Sequence, residues 1–128
     1  AREAELTAAV TAGIGEAAVD MGGRCTLGVL GALLGASRLL VSNDTGVSHL
    51  AAALDVPSVV IITTSDSRRW APLDRDRHRV LETPDGDRWS VVDSSCPGDA
   101  CAHPQRTGAG PTPLVPAEVA ISTALELL

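Results

Sequence analysis

Two apolar segments constrain this chain more than any other feature: "RLLVS" at residues 38–42 and the β-branched "SVVIIT" at 58–63, separated by the Ala-rich "GVSHLAAAL" at 46–54. Neither strand segment alternates apolar with polar residues, so each reads as a strand buried on both faces. A helix between two such strands is too long a connection for a hairpin and is the ordinary crossover of a parallel pair. Pro57 supplies a stop for the helix before the second strand. The fold class that follows is α/β, a Rossmann-like parallel sheet with helices on both faces.

The remaining segments fit around that unit. Leu6, Val10 and Ile14 recur at helical spacing in 2–18, with Gly13 and Gly15 weakening the end. "AVD" at 18–20 reads as a short strand before a Gly-Gly turn, and Thr26 is a good N-cap for a helix carrying Leu27, Leu30, Leu33 and Leu34. After Thr63, "TSDSRRWAPLDRDRH" reads as a long loop, followed by a strand at "RVLET". Residues 84–115 hold much of the Pro and Gly and are expected to be mainly loop, with one short element around "RWSVV". A terminal helix is expected at 116–128, with Pro116 in its first turn, Glu118 near its positive end, and Val119, Ile121, Leu125 and Leu128 as apolar cover. The 128 residues suit one partial Rossmann-like domain, 1–128, without an internal repeat.

Composition narrows the partners. All ten basic residues are Arg, against 16 acidic ones, and the net charge of −6 argues against general nucleic-acid binding, which needs a basic face. No apolar run is long enough for a membrane span, so a peripheral contact is the only membrane association left open. Cys25, Cys96 and Cys101 are an odd number, and no apolar leader precedes them. A reducing, cytoplasmic setting is expected.

The chemistry concentrates in "SNDTGVSH", where the first strand hands over to the helix. A helix starting near Thr45 or Gly46 points unpaired N–H groups out of its first turn, which with the helix dipole makes an anion site without a basic side chain. The turn also lies at the carboxyl end of a parallel strand, where ligands of open α/β sheets bind. Asp44 has two readings. It is an acid that complements the helix dipole, or it accepts hydrogen bonds from sugar hydroxyls while the amides beyond it hold phosphate. A nucleotide sugar offers both partners together.

The stretch "LGVLGALLGASRLLVSNDTGVSHLAAALDVPSVVII" resembles the C-terminal half of glycosyltransferase family 9, the ADP-heptose:lipopolysaccharide heptosyltransferases and their relatives. The likeness rests on Asp44, Thr45, Gly46 and His49 followed by "LAAALDVP", preceded by "GRCTLG" before an Ala/Leu-rich helix. "SDSRRWAP", the Cys-Pro segment and the terminal "PAEV" follow in the family's order. The resemblance implies half of a GT-B enzyme, with Asp44, Thr45 and Gly46 facing the donor's diphosphate and sugar. It further implies that His49 reaches the donor, that Cys25 lines the nucleobase pocket, and that Glu5 contacts the ribose, with Glu3 close enough to replace it. His49 packed between helix and loop, a structural Cys25 and a solvated Glu5 are the competing readings. The implied reaction is inverting transfer of a heptose-like sugar from a nucleotide diphosphate donor such as ADP-heptose to the hydroxyl of a glycan or small-molecule acceptor. No cofactor is called for.

Where the family usually has Gly-Pro-Thr, this chain has "TTS" at 63–65, and "GAGPTPLVP" lacks the Cys that many relatives carry before the terminal helix. Cys96, Cys101 and His103 suggest zinc, but a structural site wants four ligands, and His78 or an Asp would have to complete it, so no metal is assigned. The chain starts inside the first helix and lacks an acceptor half, so it is expected to be a piece of a longer transferase, inactive alone. The general base is then expected in the N-terminal half. A nucleotide-sugar epimerase or hydrolase of the same fold, or a non-catalytic degenerate transferase module, is the alternative.

Overall fold

The computed structural model describes residues 2–63, 65–82, 90–92 and 115–128. Backbone contacts divide the chain into two compact units, Ala1–Leu33 and Leu34–Leu128.

In the first unit, helix α1 covers Arg2–Ile14. It stops at Gly15, whose φ of +86° is open to glycine at little cost and whose amide still bonds the Thr11 carbonyl. The strand expected at 18–20 does not form. Asp20 instead accepts the Gly22 amide in an Asx turn, a local bond that competes with extended pairing. That bond, together with one from Thr7, holds the Asp20 carboxyl below its ordinary pKa. The Gly-Gly turn is real: Gly23 has φ of +67°, and a Cβ on Gly22 would come within 2.5 Å of Thr7 Oγ1. Thr26 then caps α2, Leu27–Gly35, by accepting the Val29 amide at 3.3 Å. Leu6, Val10 and Ile14 share a helical stripe, yet all three are exposed.

The second unit is built on a four-stranded sheet in the order β1-β2-β3-β4, with β1 at Leu40–Asn43, β2 at Ser58–Ile62, β3 at His78–Glu82 and β4 at Ser90–Val92. The first three strands are parallel, pairing Val41 with Val59 and Val59 with Arg79, and β4 adds antiparallel to β3. Successive strand residues point to opposite faces. Val59 and Val60 are both fully buried, as are Val80 and Leu81, so both faces of the two middle strands are covered. At the edge strand β1 the cover thins, and Val41 is half exposed. The α/β, Rossmann-like expectation therefore holds, with an antiparallel strand added at one edge.

Helix α3, Gly46–Ala53, packs on β1 and β2 through Ser48 and Ala51. It ends in a full Schellman arrangement: the Val56 amide bonds the Ala51 carbonyl, the Asp55 amide bonds Ala52, and Asp55 takes the left-handed φ of +58°. The stop is thus set before Pro57 is reached.

The loop expected after Thr63 contains a helical turn, α4, at Ser67–Trp70. Asp66 caps it, accepting the Arg68 amide at 3.0 Å, and the Arg68 guanidinium bonded to the same carboxylate holds Asp66 below its ordinary pKa. Ala71 at the end of α4 packs against the buried cluster of Val60, Ile62 and Val80. Helix α5, Ala117–Leu125, forms as expected with Pro116 as its N-cap residue and packs on β2. Apart from β4, the expected loop at 84–115 lies outside the described residues except at Val115.

Candidate functional site

The parallel strands deliver three segments to their shared carboxyl end: the turn after β1, residues 65–67 after β2, and Glu82, the last residue of β3. The Asp44 amide donates to the Ile61 carbonyl at 3.0 Å, which carries the β1–β2 ladder one residue beyond Asn43 and fixes where the turn begins. Thr45 follows in extended geometry, with φ −146° and ψ 175°, as the N-cap residue of α3. Its hydroxyl makes no capping bond, so the side chain leaves the Gly46 and Val47 amides of the first turn unclaimed. Its carbonyl, by contrast, is held twice by the buried Ser48, from the backbone amide at 3.0 Å and from Oγ at 2.7 Å. The first turn is therefore anchored on its sheet side and open on the other.

Asp44 is half buried, and among the described residues its carboxylate makes no hydrogen bond or ion pair. The dipole reading of Asp44 needs no such bond, and the hydroxyl-accepting reading needs the carboxylate available. Gly46 is exposed, its φ is not positive, and a Cβ built on it would meet nothing within 4 Å. Nothing in the described protein itself requires glycine there. His49 stands one turn on from Thr45, away from the face that Ser48 and Ala51 bury, and is exposed.

Asp44, Thr45, Gly46 and His49 thus lie together at the start of α3, Asp44 half buried and the other three exposed. Glu5 and Cys25 belong to the first unit. Glu5 is exposed on α1, and Cys25 is half buried, with its thiol 3.8 Å from the Met21 carbonyl. Glu3 lies in α1. Cys96, Cys101 and His103 lie outside the described residues, and among those described no three His, Cys, Asp or Glu side chains gather as a metal site would. His78 sits at the amino end of β3, opposite the turn, with Nδ1 2.9 Å from Ser58 Oγ.

Sequence reasoning passed over the acids that share the carboxyl end of the sheet. Asp66 is paired with Arg68 at 3.1 Å, and Glu82 is buried with Arg75 as a charged neighbour. The signal for Asp66 was present in "SDSRRW", an N-cap residue two positions before the Arg whose amide it accepts. Nothing in the pattern of "RVLET" distinguishes the buried Glu82 from an exposed strand-end acid.

With this geometry in view, the comparison with protein families is decisive: the model of glycosyltransferase family 9 (heptosyltransferase) matches residues 1–91. The chain belongs to glycosyltransferase family 9. The match takes in the first unit and the second as far as Val91 in β4, and includes the whole β1–α3 turn. Searches of curated proteins and of solved structures returned no match. As a family 9 glycosyltransferase sequence, the chain is expected to meet a sugar donor and an acceptor. Among the described residues no helix is long and apolar enough to cross a membrane.

Proposed function

We propose that this chain is the donor-binding part of an inverting glycosyltransferase that moves a heptose-like sugar from a nucleotide diphosphate, ADP-heptose being the leading donor, to an acceptor hydroxyl. The observation that carries the reading is Gly46: a glycine on an exposed helix start, with open space where its Cβ would be, beside the unengaged carboxylate of Asp44. A residue that the fold leaves free to be larger is accounted for by something that must approach the backbone from outside.

In this reading the diphosphate lies against the first-turn amides of α3, and Asp44 accepts hydrogen bonds from the sugar hydroxyls. Thr45 and His49 border the same turn. As the glycosidic bond breaks, negative charge grows on the departing diphosphate. Fixed amides aimed at it stabilise that charge without reorganising. The Ser48 bonds to the Thr45 carbonyl hold those amides in place before the donor arrives. The base that deprotonates the acceptor belongs to an acceptor-binding half of GT-B type, and no residue here is assigned that role. The reaction calls for no cofactor.

Calorimetric titration with ADP, UDP and ADP-heptose tests the proposal on the wild-type chain and on Asp44→Ala and Gly46→Val. Binding that prefers one diphosphate and is lost in both variants supports it. Absence of binding here and in an enzyme containing both halves would point to the non-catalytic module. Release of free sugar without an acceptor, or an epimerised donor, would favour the epimerase or hydrolase.

A further inference from the structure

Arg75 lies in the turn before β3, and its Nη2 donates to the carbonyl of Ser67, the first residue of α4, at 3.3 Å. Its Nη1 is buried with no hydrogen-bond partner among the described residues. Partial burial depresses the guanidinium pKa and the nearby Glu82 charge offsets part of that effect, so the half-buried side chain is a cation beside a buried acid. A four-residue helix cannot hold its own shape in water. Two attachments seat α4: Ala71 against Val60, Ile62 and Val80 at one end, and Arg75 on the buried Ser67 at the other. Ser67 follows directly on residues 65 and 66, which leave β2 next to the strand end whose Ile61 carbonyl holds the Asp44 amide.

We propose that Arg75 is a positioning residue for the donor: by holding the Ser67 carbonyl it fixes residues 65–67 as the second wall of the pocket whose first wall is the Asp44–Gly46 turn. This rests on the donor reading of that turn.

The test compares the wild-type chain with Arg75→Met, which keeps much of the aliphatic stem, and Arg75→Lys, which keeps the charge. Hydrogen exchange reads the support directly through the α4 amides of Arg68, Arg69, Trp70 and Ala71, and nucleotide-diphosphate titration well below the melting temperature reads its consequence. Arg75→Met should speed exchange in α4 while Val60 and Val80 stay protected, and should weaken donor binding about ten-fold, as small misplacements of positioning groups do. Arg75→Lys should recover part of both. Unchanged α4 exchange in Arg75→Met overturns the support. Faster exchange with undiminished binding overturns the positioning role. Faster exchange in a chain whose wild type binds no nucleotide overturns the donor reading and the positioning role with it, while the support itself stands.

Discussion

Ser58 and His78 face each other as register partners at the amino ends of β2 and β3, with Ser58 Oγ 2.9 Å from His78 Nδ1 and both residues buried. The pair lies at the end of the sheet opposite the β1–α3 turn, so His78, the more buried of the two described histidines, serves the architecture. Asp55 and Arg77 flank it: the Arg77 guanidinium donates to the Asp55 carbonyl at 2.7 Å and pairs with its carboxylate at 3.1 Å.

Burial pushes the His78 pKa below its ordinary value of 6.5, against the opposing pull of Asp74 and Asp55, while Arg77 adds to the lowering. The unfolded chain therefore binds the proton more tightly than the folded one. The stability that His78 contributes is present above about pH 6.5 and is lost as pH falls through that value towards the folded pKa, below which its slope vanishes. Urea midpoints should fall between pH 7.5 and pH 5.5, and His78→Gln should flatten that dependence whatever its own stability. An equal slope in the variant would assign the effect to other groups.

Val60 is 0% exposed at the centre of the sheet, whereas Leu73 is 99% exposed in the turn region before β3. Truncation should separate them. Val60→Ala removes two buried methyl groups and leaves a cavity, costing about 2 kcal/mol. Leu73→Ala should stay within about 0.5 kcal/mol of wild type. Chemical denaturation of the two variants checks the contrast.

Asp55 occupies the left-handed position of a Schellman motif that glycine usually fills, and its ion pair with Arg77 is exposed. Relief of the left-handed strain and loss of an exposed ion pair are comparable in size. Asp55→Gly should therefore be neutral or stabilising by up to about 1 kcal/mol. Asp55→Val places a β-branched residue at the same φ and should destabilise by about 2 kcal/mol. Both keep the carbonyl that Arg77 holds, so a fall in melting temperature for the glycine variant as large as that for valine would mean that the ion pair dominates.

The parallel β1–α3–β2 unit was legible because its signals are local and redundant: continuous apolar runs, a helix between them and a length that forces a crossover. The β1–α3 turn was legible for the same reason, since strand end, glycine and helix start are adjacent in sequence. What the sequence hid depends on side-chain competition or on tertiary support. Asp20 turned an apparent strand into an Asx turn by taking the Gly22 amide. Asp55 ended α3 from a conformation that composition disfavours, so Pro57 drew the attention. Helix α4 is too short for periodicity and exists because Asp66 caps it and Arg75 and Ala71 seat it. Glu82 is buried because of what surrounds the end of β3, which no local pattern encodes.

Gly46 separates folding from binding. Because its Cβ would meet nothing within 4 Å and its φ is not positive, Gly46→Ala should leave the fold intact, and helix propensity should raise stability by up to about 0.5 kcal/mol. Gly46→Val should also fold, with circular dichroism and melting temperature close to wild type. Donor affinity should move the other way: if a diphosphate lies against the amides of this turn, the added methyls stand in its path. The loss should grow from alanine to valine and reach about ten-fold or more for valine. Asp44→Ala should likewise spare the melting temperature, since its carboxylate makes no hydrogen bond among the described residues, yet weaken a sugar-bearing diphosphate more than the bare nucleotide. Titration of each variant with ADP and with ADP-heptose measures both differences. Equal losses for the two ligands in Asp44→Ala would move the acid's role from the sugar to the phosphate end of the turn, and valine at 46 without loss would remove the diphosphate from it.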